Sequence, residues 1–285
     1  MKTPSFNSID PNVSDQLSQQ FPFFFMFTFL IPLYYLVSKL AEEKESKSRE
    51  GMKMMGLKDF SYFSSWWVFF MIIVIGMSII ITVMLSFNVF LQSNKFLLFV
   101  LAFFYGMSLF GFSIVIVAIL PTQRASATAA SLLHIITYFL VFAFKDPDTA
   151  TVVKVVTSIF PNIGMTFCIY SLYHFETDST GLGFNNSGIK YNNYTFNSTL
   201  LMLVFDTIFY LCLGLYLDQV IPSQYGVARK WNFICTRGFW CPKRRPANTT
   251  REESNRSLLN DSIDNEDGRN ALDFENVPEI LKRQE

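Results

Sequence analysis

Residues 42–58 read EEKESKSREGMKMMGLK. They lie between two apolar runs, FPFFFMFTFLIPLYYLVS at 21–38 and SSWWVFFMIIVIGMSIIITVMLS at 64–86. A tight turn would be enough to join two membrane helices. A dense, mixed-charge insert of this length therefore asks for a reason, and its surroundings supply the setting.

Apolar residues gather in blocks close to the roughly 20 residues a helix needs to cross a bilayer. These blocks are about 21–40, 63–86, 96–120, 127–144 and 200–217. The chain holds 32 Phe, and only 16% of its residues are charged, so it reads as an integral membrane protein. Formal net charge is zero, and nothing global points to nucleic acid. Cys168, Cys212, Cys235 and Cys241 form no CxxC pair, and with 2 His a zinc site is not expected. A polar lead, not a signal peptide, precedes the first block, so that block must insert directly or sequence is missing upstream.

Basic residues set the orientation. The first loop carries Lys39, Lys44, Lys47, Arg49, Lys53 and Lys58, and the tail carries Arg229, Lys230, Arg237, Lys243, Arg244 and Arg245. Both are expected in the cytosol, which leaves the N-terminus exoplasmic and the C-terminus cytosolic. Residues 151–175 are apolar but interrupted by Lys154 and by Pro161–Asn162. Two halves of about ten residues suit re-entrant or interfacial helices better than a sixth span. Sequons at Asn12, Asn185, Asn193 and Asn197 then fall outside and are glycosylation candidates. Tyr62, Trp66 and Trp67 read as lipid anchors at the interface. Pro22 and Pro32 are expected to kink or weaken the first span. Residues 219–285 turn polar and read as a cytosolic, flexible linker.

No GxxxxGK[ST], GxSxG or HExxH motif is present, and no catalytic residue is assigned. Two intramembrane ionisable groups stand out, Asp206 and His134. An acid in lipid invites a functional reading. The plainer expectation for both is structural, with Asp206 bonded to a neighbouring helix or reaching the interface.

Read as a helix, the charged insert has internal support. Glu43–Lys47 and Glu45–Arg49 are i,i+4 pairs with the acid first. Met52, Met55 and Leu57 gather as an apolar patch, and Gly51 and Gly56 weaken or end the helix. The expectation is an amphipathic helix over 41–58 in the plane of the interface. A solvated loop helix without a partner is the bland alternative.

The stretch EKESKSREGMKMMGL also resembles the E-K-E…R-E-x-M-x-x-M-G-L signature of the A subfamily of ATP-binding cassette transporters. A second resemblance runs from Tyr216-Leu217-Asp218 through Tyr225-Gly226 to Trp231 and Gly238-Phe239-Trp240. The terminal FENVPEILK and the FD of LVFDTIFY match the same family at the same places. The resemblance covers about residues 20–285.

It implies an all-α, polytopic helix bundle of the ABC-2 type. About five transmembrane helices (domain 21–218, after an exoplasmic segment 1–20) would carry a cytosolic coupling helix at 41–58 and exoplasmic helices at 151–175. The family further implies lipid transport driven by ATP-Mg bound in a partner nucleotide-binding domain, and a second transmembrane half. It places the protein in the plasma membrane or an endomembrane. Glu43, Glu45, Lys47, Arg49, Glu50, Met52 and Met55 would contact the ATPase domain, with Gln123 and Arg124 as a second contact. Against full-length members the chain would comprise helices two to six of one half. That makes it a gene fragment, a truncated sequence or a split subunit. A non-transporting membrane scaffold or degenerate fragment is the competing expectation. A receptor or channel is disfavoured because no polar stripe lines any span.

Overall fold

The computed structural model describes residues 11–146, 148–178, 180–221 and 231, with side chains from residue 19 onward except at 88. The chain divides into two compact units at 230/231, and every described helix belongs to the first of them. The remainder of the expected linker, with Cys235 and Cys241, lies outside the described residues.

Eight α-helices follow one another: α1 (Pro11–Glu45), α2 (Ser48–Met54), α3 (Asp59–Asn88), α4 (Lys95–Ile119), α5 (Gln123–Phe139), α6 (Thr151–Thr157), α7 (Pro161–Thr177) and α8 (Phe196–Val220). A 3-10 turn at Leu140–Ala143 extends α5, and a short antiparallel hairpin, β1 (Lys190–Tyr191) with β2 (Tyr194–Thr195), precedes α8. Five helices are long and apolar enough to cross a membrane: Gln19–Glu45, Asp59–Phe87, Lys95–Ile119, Gln123–Ala143 and Phe196–Val220. The all-helical, five-span architecture read from the sequence is thus observed.

Local chemistry explains the boundaries. Asn94 caps α4 by accepting from Phe96 N at 2.9 Å, and Thr195 caps α8 by accepting from Ser198 N at 3.2 Å. Pro161, read in the sequence as an interruption, opens α7 at its first turn, where its missing N–H costs nothing. Helix α1 runs unbroken through Pro22 and Pro32.

The buried axis is α4, packed against α8, α3 and α1, while α5 packs on α1. Helices α4 and α8 approach most closely at small residues. A Cβ on Gly111 would sit 2.7 Å from Leu211 N, and one on Gly214 would sit 2.8 Å from Ile114 Cγ2. Small residues let membrane helices pack backbone to backbone in this way.

Two expectations need correction. The pair at 151–175 is not two equal halves: α6 has 7 residues and α7 has 17. Helix α7 is buried along most of its length against α8, α1, α4 and α5. Its polar side chains find partners inside the bundle, which hydropathy alone does not show. The charged insert is likewise not one helix over 41–58. Its first residues complete α1, and Lys47 then takes a left-handed backbone, φ 58°, that separates α1 from the short α2.

Candidate functional site: the charged end of the bundle

The break at Lys47 removes the four-residue stacking on which both expected i,i+4 pairs depend. The charges reach across the bundle instead. Arg49 turns inward, its side chain 12% exposed. Its Nη1 and Nη2 donate to the two carboxylate oxygens of Asp218, near the end of α8, at 2.7 and 2.6 Å. Nη2 also donates to Asp59 at the start of α3, at 3.3 Å. The guanidinium lies 4.9 Å from the ring centre of Tyr62 and 4.7 Å from that of Phe63. Two parallel charge-assisted bonds and aromatic stacking suit the planar guanidinium and would not be reproduced by lysine. Burial works against the charge on Arg49, but Asp218 outweighs it and the pKa is raised.

The last residues of α1 extend this joint. Glu43 accepts from Tyr62 Oη at 2.6 Å and from Trp66 Nε1 at 3.2 Å, both on α3. Lys44 donates to the carbonyls of Val117, Ala118 and Leu120 at 2.5, 3.1 and 3.3 Å. It thereby places a cation on the free carbonyls and negative dipole end of α4. Glu45 accepts from Gln123 N at 2.7 Å, an anion on the positive end of α5. Gln123 Nε2 donates back to Ser38 at 2.9 Å. Four charged residues thus tie the corner between α1 and α2 to α3, α4, α5 and α8. Lys53 adds an ion pair to Asp59 at 2.5 Å.

The residues expected to face a partner therefore divide. Glu43, Glu45 and Arg49 are tied within the bundle, Gln123 is half-buried, and Met52 and Leu57 pack against the core. The expected Met52–Met55–Leu57 patch is split, because Met55 is 83% exposed and Met54 beside it 86%. Lys47 and Arg124 are exposed, and Glu50 is half-buried. Tyr62 and Trp66, expected as lipid anchors, turn their polar tips to Glu43. Sequence reasoning missed Lys44, Asp59 and Asp218 as structural partners. Asp218 had drawn attention only within Tyr216-Leu217-Asp218.

The intramembrane groups also differ from each other. His134 lies in a buried polar cluster drawn from four helices. Its Nε2 faces the carbonyl of Met26 at 3.3 Å, and its Nδ1 faces Asn162 Nδ2 at 3.2 Å. A carbonyl can only accept, so Nε2 carries the proton and Nδ1 accepts. Asn162 also donates to the carbonyl of His134 at 2.7 Å and to Thr137 at 2.8 Å, and accepts from Tyr105 Oη at 2.5 Å. The structural expectation for His134 has this physical basis. Asp206 differs from expectation. It is fully buried, and neither carboxyl oxygen has a hydrogen-bond partner among the described residues. It lies ten residues into α8, about 15 Å along its axis. At the far end of the bundle Asn185, Asn193 and Asn197 are exposed, and Asn193 forms the hairpin turn. Asn12 lies in α1, its side chain outside the described ones.

Known proteins share this arrangement of sequence. The chain is 27% identical to the human "Cholesterol transporter ABCA5" over 221 residues, 74% of this chain and 13% of that protein. It is 24% identical to the mouse "Glucosylceramide transporter ABCA12" over 250 residues, 86% of this chain and 10% of that protein. With the rat "ATP-binding cassette sub-family A member 17" it shares 22% identity over 237 residues, 81% of this chain and 13% of that protein. The chain thus spans about an eighth or less of the length of these relatives. A family model described as "ABC-2 family transporter protein" matches residues 2–216. With its five spanning helices, this multi-pass membrane chain belongs to the ABC-2 family of transporter proteins.

Proposed function

We propose that this chain is the transmembrane part of an ATP-driven transporter that moves lipids. ATP-Mg is bound and hydrolysed by a nucleotide-binding domain outside the chain, and α2 is the coupling helix. The observation that carries this reading is the joint itself. A helix that transmits movement must be tied to the spans on one side and open on the other. Arg49, Glu43, Lys44 and Glu45 tie the α1–α2 corner to four helices, while Met54 and Met55 project outward. Lys47, Glu50 and Met55 form the docking ridge with Arg124 as a second contact, and Arg49 is the strut behind it. A second transmembrane half completes the pathway. Lipid cargo is supported by the names of two relatives, a cholesterol and a glucosylceramide transporter.

On this reading the α2 end is cytosolic and the hairpin end exoplasmic, in the plasma membrane or an endomembrane. Asn185 and Asn193 are then glycan acceptors, with Asn12 and Asn197 as further candidates. Glycosidase treatment is expected to shift the mobility of the chain, and Asn185→Gln with Asn193→Gln to remove most of the shift. The tail also holds a sequon, Asn255-Arg256-Ser257, and a shift arising there would reverse the orientation.

The central test is co-purification in mild detergent. A chain with a nucleotide-binding domain is expected to accompany the wild type. It is expected to be lost from the Met54→Ser/Met55→Ser variant, which leaves the buried joint intact. Absence of any such partner from the wild type would replace the transporter reading with that of a membrane scaffold.

A further inference from the structure

The carboxyl of Asp206 is fully buried, with both oxygens unbonded among the described residues. Its own helix shows what it faces. Leu203, Asp206 and Tyr210 follow at steps of three and four, so they share one face of α8. The two outer residues of this set both meet the start of α7. A Cβ on Gly164 would sit 3.3 Å from Leu203 Cδ2. Tyr210 Oη donates to the carbonyl of Ile159 at 3.0 Å. Asp206 is set between these contacts, on the side of α8 that lies against residues 159–164.

No described cation answers it there. Helix α8 packs on α4, α7, α6 and β2. On α4, Tyr105 gives its hydroxyl proton to Asn162. On α7, Cys168 faces the carbonyl of Phe196, and Glu176 is bonded to Gln92 and Ser93. Lys154 on α6 donates to the carbonyl of Asn192 and lies over the ring of Tyr194 on β2. Tyr210, on α8 itself, is engaged by Ile159. An ionised Asp206 would have neither water nor a counter-charge. An isolated buried charge costs so much that the group neutralises instead. Asp206 is therefore carried as the neutral acid.

We infer that Asp206 is a proton-binding site, loaded while α8 is packed on the start of α7 and emptied when the two part. Parting breaks the Tyr210–Ile159 bond and opens this face of α8 to water, where a carboxyl ionises at neutral pH. The O–H bond breaks, the proton passes to water and the electron pair stays on the carboxylate oxygen. Repacking takes the proton back. The two states differ by one bound proton, so acidity favours the packed one and rising pH the parted one. Arg49 grips the same helix at Asp218, so the proton decides whether α8 and the start of α7 move together or come apart. This inference goes beyond lipid transport and needs no ATPase partner. A chain that co-purifies with none would still carry the site.

The test uses the whole chain in nanodiscs. Asp206→Asn serves as a neutral reference that cannot ionise. The infrared difference between wild type and this variant is expected to show a protonated carboxyl at neutral pH. The symmetric and antisymmetric bands of a carboxylate in its place would overturn the site. Parting of the helices is read from the alkylation rate of Leu203→Cys, with Asp206 and with Asp206→Asn, so that the thiol's own pH dependence cancels. The ratio of the two rates is expected to rise with pH, by up to about ten-fold per pH unit for one proton. A ratio that stays flat or falls would overturn the coupling. If Asp206→Asn fails to fold, Asp206→Leu, close to it in volume and equally unable to ionise, takes its place in both measurements.

Discussion

The two ends of the bundle hold their charges differently. At the α2 end, Arg49 meets Asp218 and Asp59, while Lys44 and Glu45 meet the termini of α4 and α5. At the hairpin end the two buried charged side chains, Glu176 and Lys154, bond to neutral groups. Glu176 on α7 accepts from Gln92 N at 2.8 Å, Ser93 N at 3.1 Å and Ser93 Oγ at 2.6 Å, locking the α3–α4 turn. Lys154 on α6 donates to the carbonyl of Asn192 at 2.7 Å and lies over the ring of Tyr194. Burial lowers the pKa of Lys154, and Asp146 and Asp148 oppose the shift. Of the ion pairs that Arg49 and Lys53 make at the α2 end, Lys53–Asp59 is the one with both partners near water, and it can part and re-form at little cost, because water solvates both. Buried bonds to backbone groups cannot, because each opening strands a polar atom. One end is thus built as a joint and the other as a clamp.

The sharpest way to break this contrast is at the clamp. Glu176→Ala leaves three donors without their acceptor, and we expect a loss of about 3 kcal/mol or more. Thermal unfolding in detergent should show it as a large downward shift, and a shift no larger than that of a surface substitution would dissolve the distinction. The next effect is at the joint. Arg49→Ala strands the partly buried Asp218 and is expected to cost about 1–3 kcal/mol. Asp218→Asn in the same chain should recover part of that loss, and strict additivity in the double-mutant cycle would deny the strut. Arg49→Lys is expected to restore little, because one ammonium cannot replace two parallel bonds and the stacking. The smallest effect should come from Asp59→Asn, a few tenths of a kcal/mol. Salt should affect the two ends unequally. Raising it to about 1 M shortens the screening length to about 3 Å. Hydrogen exchange in α2 should quicken while α7 is unchanged, and equal acceleration would mean that the ends are alike.

The sequence carried the spans and left their interlocking hidden. Hydropathy alone located five helices, because each must be apolar over a bilayer's width. Pro161 was visible as a discontinuity, but its role as a helix opener depended on where α7 lies. The length of α7 was hidden because Pro161–Asn162 reads as a break until Tyr105 and His134 come to meet Asn162. The charged insert shows the limit best. Local spacing paired Glu45 with Arg49, yet the partner that Arg49 takes is 169 residues away. Periodicity sees neighbours four positions apart, and nothing local reports a left-handed Lys47. The family resemblance had singled out both Arg49 and Asp218, each within its own motif, without showing that the two motifs meet. Tyr62 and Trp66 were misread for a related reason, since an aromatic with a polar tip serves a lipid headgroup and a half-buried Glu43 equally well.

The close approach of α4 and α8 at Gly111 and Gly214 has a mechanical consequence. At these two points backbone is set against side-chain stems, and a slip of one helix along the other would have to part them. Helix α8 is 25 residues long, about 37 Å, and Arg49 grips it near its last turn. On its way to the far end its Tyr210 donates to the carbonyl of Ile159, just ahead of α7, at 3.0 Å. The α4–α8 pair is in effect a stiff lever arm with a handle at one end and a load at the other. A tilt imposed at Asp218 is expected to displace Ile159 as well, and cross-linking α4 to α8 at Gly111 and Gly214 should leave that coupling unchanged.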